Sequence, residues 1–378
     1  MRTTPLEAGS SSALDGSSRP VVVLAPSLTR APGGIARYAE GLLSSTLLGE
    51  SGFRLLHVQT YERGKAYRKA LVALTASMRL AALRRRALVA HALIASDASY
   101  VRKLWLLYEA RLLGMYTVAH FQGSTVIDWL ERLSPSWRRR IIHLTERCDA
   151  VVTLGPRLAE YFKVQGMRAE PRIIPNAVAA TPARQRGSPR HHRILSAGLL
   201  GRRKGTFDLV RAFARLSPHF PEASLVLAGD GAIEETQALA RQLGVGHRVQ
   251  CTGWVDAQSV DALMRNAEVF ALPSHQEGMA FAVLEAMMRA LPVITTPVGE
   301  QQSVIRDGHE GLLVRPGDVD SLQRALVRIL SDRDLAERLG HGARERALSE
   351  FELSINHVAV AEVYSTVIGH VKARATQR

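Results

Sequence analysis

The chain has 378 residues, 46% apolar and 22% charged, with a formal net charge of +14. That balance is globular, and the length exceeds what one hydrophobic core fills, so two domains are expected. Cys148 and Cys251 lie far apart, which excludes a disulfide framework and paired metal-ligand spacing and fits a reducing compartment.

Residues 1–19, rich in Ser and Gly, hold no apolar core of signal-peptide length and read as a flexible tail. At 21–25, VVVLA is a β-branched run of the kind that forms a buried strand. A glycine loop, PSLTRAPGG, and a helical pattern, IARYAEGLLSSTLL, follow it. Short apolar runs recur at 54–59, 116–121, 150–155 and 172–176, with helical stretches between them. Residues 63–95 mix Arg/Lys clusters with Leu, Val and Ala, and read as a helix that suits either an anionic bilayer or a core with a solvated basic face. The stretch 103–121 is the nearest to a membrane-spanning run, but Glu109 and Arg111 at its middle exclude it.

Residues 178–192, VAATPARQRGSPRHH, break the periodicity and read as a linker. They divide a first domain, 20–177, from a second, 193–350. In the second the alternation restarts at 193–200, 224–231, 248–255, 269–274, 292–299 and 311–316. Phe207, Val210, Phe213 and Leu216 should line one face of the helix after Lys204. Residues 351–378 read as a closing helix that packs back toward the first domain. Strands alternating with helices imply parallel sheets covered on both faces. The fold class is therefore α/β: two Rossmann-like, doubly wound domains in series with a cleft between them. In such sheets ligands bind beyond the carboxyl ends of the strands.

Charge is uneven. Residues 1–180 hold 25 Lys/Arg against 13 Asp/Glu, whereas 181–378 hold 24 against 22. A basic first half attracts anionic lipid, nucleic acid or a phosphorylated substrate. Aromatic residues make up only 6% and no nucleic-acid motif is present, so nucleic acid is not expected.

Two segments carry candidate chemistry. GLLGRRKG at 198–205 runs from a strand through glycines to Arg202, Arg203 and Lys204 before a helix, an arrangement suited to a diphosphate. HQEGMAFAVLEAM at 275–287 places Glu277 on a loop and Glu285 inside the following helix. Gly278 allows backbone approach to a ligand, and Met279, Ala280 and Phe281 offer N–H groups at the helix start. Carboxylates accept two hydrogen bonds from vicinal hydroxyls, so the pair could grip a sugar and a ribose with a diphosphate between them. Alone, an E-x7-E pair is more often a solvated helix face. Two decoys are declined. Asp318-Val319-Asp320 precedes a helical pattern and reads as an N-cap, not a metal site. Gly229-Asp230-Gly231 lacks the third glycine of a dinucleotide fingerprint.

The second half resembles the family 4 retaining glycosyltransferases. The segments GLLGRRKGTFDLVRAF, LVLAGDG, VQCTGWV, VFALPSHQEGMAFAVLEAM, LPVITTPVG and GLLVRPGD carry the likeness over roughly 195–320. The first half matches more loosely, through Gly33–Gly34, HFQGS, VVTLGPRLAEYF and IIPNAV. The resemblance implies the GT-B fold and sugar transfer from a UDP- or GDP-sugar with retention, without a cofactor or an essential metal. It implies that Glu277 contacts the donor sugar and Glu285 the ribose, that Lys204 pairs with the diphosphate, and that Gly33 and Gly34 approach the phosphates. It also implies that His120 lies near the transferred sugar. Glu277, His120 and Lys204 are the catalytic candidates. Gly33, Gly34, Arg202, Arg203, Lys204, Gly278, Met279, Ala280, Phe281 and Glu285 are the donor-binding candidates. The chain departs from the family at Leu199, Ala280, Glu300 and Ser303. The expected acceptor is a glycan or a lipid-linked molecule in bacterial polysaccharide or glycolipid assembly. The expected location is cytoplasmic, peripheral to the inner membrane face. A nucleotide-sugar epimerase of the same fold and a non-catalytic sugar-nucleotide-binding partner are the alternatives.

Overall fold

The computed structural model describes residues 19–31, 33–184 and 192–375. Residues 1–18 of the expected 1–19 tail and 185–191 of the expected 178–192 linker lie outside the described residues, and Arg19 opens the first strand.

Among the described residues, twelve strands form two parallel sheets. The first contains β1 (Arg19–Pro26), β2 (Phe53–Tyr61), β3 (Val89–Ile94), β4 (Tyr116–Phe121), β5 (Ala150–Thr153) and β6 (Arg172–Ile173), in the order β2-β1-β3-β4-β5-β6. The second contains β7 (Arg193–Ala197), β8 (Ser224–Ala228), β9 (Val249–Cys251), β10 (Val269–Leu272), β11 (Val293–Thr295) and β12 (Gly311–Leu313), in the order β12-β11-β10-β7-β8-β9. Each chain path starts at the middle of its sheet, winds to one edge, and returns to the other side. The reversal falls between β1 and β3 in the first sheet and between β7 and β10 in the second. Helices diverge to opposite faces at such a point, which opens a crevice at the strand carboxyl ends.

Two elements differ from the sequence reading. Residues 63–95 are not one helix. A helix spans Ala66–Leu83, and Val89–Ile94 is strand β3, buried at every position between β1 and β4. A strand covered on both faces has no polar alternation, so its short apolar run is indistinguishable by pattern from a helix. The second difference is in the Thr206–Leu216 helix. Leu209, Val210, Ala212, Phe213 and Leu216 are buried there, but Phe207 is only partly so and lines a surface groove of about 730 Å³.

The Asp318 side chain accepts a hydrogen bond from the Ser321 amide at 2.9 Å and caps the Val319–Ser331 helix. The last helix, Leu353–Ala375, leaves the second domain after Phe351 and joins the core of the first. Val360, Val363, Tyr364 and Val367 pack with Val21, Val23, Leu42, Phe53 and Leu93. The Tyr364 ring meets Phe53 edge-on at 5.2 Å, and its hydroxyl lies 2.7 Å from His91 Nδ1. The first domain therefore depends on residues from the far end of the chain. Tyr364→Ala is expected to destabilise that domain by about 3–5 kcal/mol through loss of the buried ring. Tyr364→Phe, which keeps the ring, should cost only about 1–2 kcal/mol. Urea unfolding followed by Trp fluorescence measures both.

Candidate active site

Both chemical motifs sit at the crevice of the second sheet. The 198–205 turn leaves β7 and the 273–280 loop leaves β10, the two strands flanking the reversal. Glycine geometry locks them together. A Cβ on Gly205 would lie 1.9 Å from the Pro273 carbonyl oxygen, and one on Gly299 would lie 1.9 Å from that of Glu277. Both glycines have positive φ, so no other residue fits without moving backbone. Gly278, by contrast, has ordinary space around its Cβ position. The close approach of backbone to backbone in this loop is made at Gly299.

Glu277 is 6% exposed. Its Oε1 pairs with Lys204 Nζ, accepts from Ser274 Oγ at 3.2 Å, and lies 4.0 Å from Arg203 Nη1. Arg203 also donates to the Gln276 carbonyl at 3.4 Å. A buried carboxylate is costly unless paired and hydrogen-bonded, and here it is both. Arg202 lies exposed in the same turn, and Leu199, where the family usually has arginine, is exposed too.

The helix Phe281–Met288 starts beside this pair, with Ala280 as its N-cap residue. Of the three amides expected to face a ligand, that of Ala280 is occupied, donating to Gln301 Oε1 at 3.2 Å. Gln301 is fully buried, and its Nε2 has no partner among the described residues. Asn176 donates to the Met279 carbonyl at 2.9 Å. Gly34 faces this helix from the first domain, where a Cβ would touch the Phe281 ring at 3.6 Å, whereas a Cβ on Gly33 would meet nothing within 4 Å. Glu285, inside the helix, pairs with Arg37 of the first domain.

His120 stands apart from this group. It is fully buried, one residue behind the cleft wall. Its Nδ1 lies 3.1 Å from His91 Nε2, its Nε2 lies 3.0 Å from Gln122 Nε2, and Tyr38 packs on it edge-on. Burial holds both histidines neutral. It lowers His91 to about 3 and His120 well below the usual range, with His91 adding to the latter. With Gln122 Nε2 donating to His120, each ring passes one hydrogen bond along the chain from Gln122 to Tyr364.

Sequence reasoning missed Glu300 as a contact. Its carboxylate crosses to the first domain and accepts from the amides of Arg157 at 3.3 Å and Leu158 at 3.2 Å, at the start of the Pro156–Val164 helix. Burial raises its pKa, and those two amides oppose the shift. Ser303, the other departure, donates from Oγ to the Glu300 carbonyl at 2.7 Å. A further cross-domain bond joins Gln276 Nε2 to Asp128 Oδ2 at 2.9 Å. The space left between Gly123, Ser124 and Leu154 on one side and Glu277, Gly278 and Glu300 on the other is about 30 Å³, room for a water or two but not a sugar. Among the described residues no group of three or more His, Cys, Asp or Glu could hold a metal ion, and no helix is long and apolar enough to cross a membrane.

Residues 183–346 match the model of the family described as glycosyl transferases group 1. The chain is 31% identical over 210 residues to the lipopolysaccharide core biosynthesis glycosyltransferase LpsE of Rhizobium meliloti, covering 54% of this chain and 60% of that protein. It is 31% identical over 224 residues to a phosphatidyl-myo-inositol mannosyltransferase of Mycolicibacterium smegmatis, covering 56% of each. These matches thus span less than two thirds of the relatives' own length. Among solved structures, sucrose-phosphate synthase from Thermosynechococcus elongatus superimposes with a TM-score of 0.77 at 20% identity, over 93% of this chain and all of that one. Anabaena HepE in complex with UDP and glucose gives 0.71 at 18% identity, over 92% and 100%.

The buried histidines predict an acid-sensitive fold. Their folded pKa values lie below the unfolded value of about 6.5. Below that pH the unfolded chain binds protons that the folded chain refuses. Stability is therefore full above about pH 6.5 and falls toward pH 3, by up to about 1.4 kcal/mol per pH unit per histidine. Urea midpoints should drop between pH 7 and pH 5, and the drop should be shallower in His91→Gln. His120, together with His57 and His357, which burial also lowers, supplies the slope that remains.

Proposed function

Starting from a group 1 glycosyl transferase domain at 183–346 and the GT-B fold around it, we propose that this chain is a retaining glycosyltransferase. It moves a sugar from a nucleoside-diphosphate sugar to a hydroxyl of a glycan or lipid-linked acceptor. The observation that carries the reading is the Glu277–Lys204 pair, buried at the floor of a two-domain crevice beside the start of the Phe281–Met288 helix.

Each group has a task that follows from its chemistry. Glu277 accepts hydrogen bonds from hydroxyls of the donor sugar, and Glu285 accepts from the ribose. As the glycosidic bond breaks, positive charge grows on the sugar ring and negative charge on the departing diphosphate. In this reading Lys204, Arg202 and the start of the Phe281–Met288 helix stabilise that negative charge. Charge fixed in advance at a dry site is often the largest catalytic contribution. The acceptor hydroxyl attacks the anomeric carbon from the face the diphosphate leaves, and its proton passes to the departing diphosphate oxygen as that bond breaks, so the configuration is retained without an enzyme nucleophile. This scheme assigns no step to a metal. His120 sets the orientation of Gln122 by accepting a hydrogen bond from its Nε2.

The acceptor side falls to the basic first domain. The Ala66–Leu83 helix exposes Tyr67, Leu71, Leu74 and Met78 along one stripe. The neighbouring Ala98–Leu112 helix exposes Val101, Trp105, Tyr108 and Leu112 at the same spacing. Arg68, Lys69, Arg84, Arg85 and Arg86 flank them. Apolar stripes edged by cations suit the surface of an anionic bilayer, which would hold the enzyme near a lipid-linked acceptor.

The deciding experiment is donor hydrolysis with UDP-, GDP- and ADP-sugars. Wild type should release free sugar slowly from one donor, and Glu277→Ala and Lys204→Ala should lower the rate by about 10²–10³-fold. Failure to bind any of these donors would sink the reading. Membrane attachment is tested separately by co-sedimentation with vesicles. Binding to phosphatidylglycerol-containing vesicles at low salt, absent with pure phosphatidylcholine and reduced in Leu71→Asp/Trp105→Asp, is expected. Indifference to anionic vesicles would remove the membrane from the proposal.

A further inference from the structure

Glu285 already has a partner within this chain. Arg37, in the first turns of the Gly34–Leu43 helix, reaches across the cleft and pairs through Nη2 with Glu285 Oε1. Its guanidinium carbon lies 5.1 Å from the centre of the Phe281 ring. Arg37 therefore sits where two helix N-termini converge, those of Gly34–Leu43 and Phe281–Met288. Neither helix has an acidic residue in its first turn or a side-chain cap. A cation between two positive helix ends is unfavourable unless an anion joins it. In this structure that anion is Glu285. The pair is also partly solvated, its side chains 47% and 21% exposed. Ion pairs of that kind are weak and exchange readily. The Lys204–Glu277 pair is different, at 15% and 7%, and breaking it would strand a buried charge.

We propose that Arg37 is a donor-binding residue that acts by exchanging partners. The ribose hydroxyls take the Glu285 carboxylate, and the released guanidinium turns to the diphosphate of the same ligand. This rests on the reading above in which Glu285 holds ribose. The guanidinium fork matches phosphate oxygens in pairs, and the two helix ends that disfavour a lone cation favour the diphosphate beside it. Because Arg37 and Glu285 belong to different domains, the exchange replaces a domain-to-domain contact with a ligand that touches both.

The exchange makes Arg37 act with opposite sign on two related ligands. A nucleoside must break the Arg37–Glu285 pair and offers the freed cation nothing. A nucleoside diphosphate breaks the same pair and gives the cation a better partner. The test titrates wild type, Arg37→Gln and Arg37→Lys with UDP, GDP and ADP by calorimetry, and with uridine, guanosine and adenosine by ligand-detected NMR. For the diphosphate that wild type binds, Arg37→Gln should weaken binding about tenfold or more, the size expected for a lost charged hydrogen bond. The matching nucleoside should bind Arg37→Gln several-fold more tightly than wild type, and Arg37→Lys should keep part of the diphosphate affinity. Equal weakening of both ligands would make Arg37 a structural clasp only, and an unchanged diphosphate affinity would remove it from the site. Either result overturns the proposal. Wild type that binds none of the three diphosphates would instead overturn the assignment of Glu285 to ribose, and this proposal with it.

Discussion

A carboxylate buried at a domain boundary constrains everything around it. Glu277 keeps almost no contact with water, so a cation and a hydroxyl must be held against it. Lys204 comes from the turn after β7 and Ser274 from the turn after β10, so those turns must meet. They meet because β7 and β10 are neighbours at the point where the chain path reverses. The approach is closer than any side chain allows at Gly205 and Gly299, which is why both positions are glycine. The pair thus ties local backbone, sheet topology and electrostatics into one arrangement.

A second group of interactions fixes the first domain over that floor. Glu300 reaches the helix start at Arg157–Leu158, Gln276 bonds Asp128, Asn176 bonds the Met279 carbonyl, and Arg37 pairs with Glu285. Phe281 packs against the cores of both domains. The last helix crosses over and completes the first core with Tyr364. These contacts differ in character. The Tyr364 packing is wholly buried. Among the polar contacts at the cleft, Asn176 and Glu300 are buried, whereas Arg37 remains half in water, so its ion pair is the weak one.

The departures from the family pattern acquire physical meaning from this view. Glu300, one of them, sends its carboxylate away from the second domain, into helix amides of the first. A methyl on Gly155 would collide with it, so Glu300 and Gly155 form a fitted pair. His120 is likewise an architectural residue in its contacts. It belongs to a buried chain with His91 and Tyr364, not to the exposed surface of the cleft.

The sequence by itself determined the alternation of strands and helices, and with it two parallel sheets and a crevice. It also placed Glu277 on a loop and Glu285 in a helix, because Pro273 and Gly278 interrupt the pattern before the apolar run that follows. Asp318 as a cap was legible too, since capping depends on residues three positions apart. Tertiary structure alone decided the rest. Strand β3 carries no alternation because both its faces are covered, and coverage is a property of neighbours. Arg37 and Glu285 are 248 positions apart, and Glu300 and Leu158 are 142 apart. No local pattern links such residues. Their pairing follows from how the folded domains sit against each other, where the burial of one charge selects a partner from whatever the opposite wall presents.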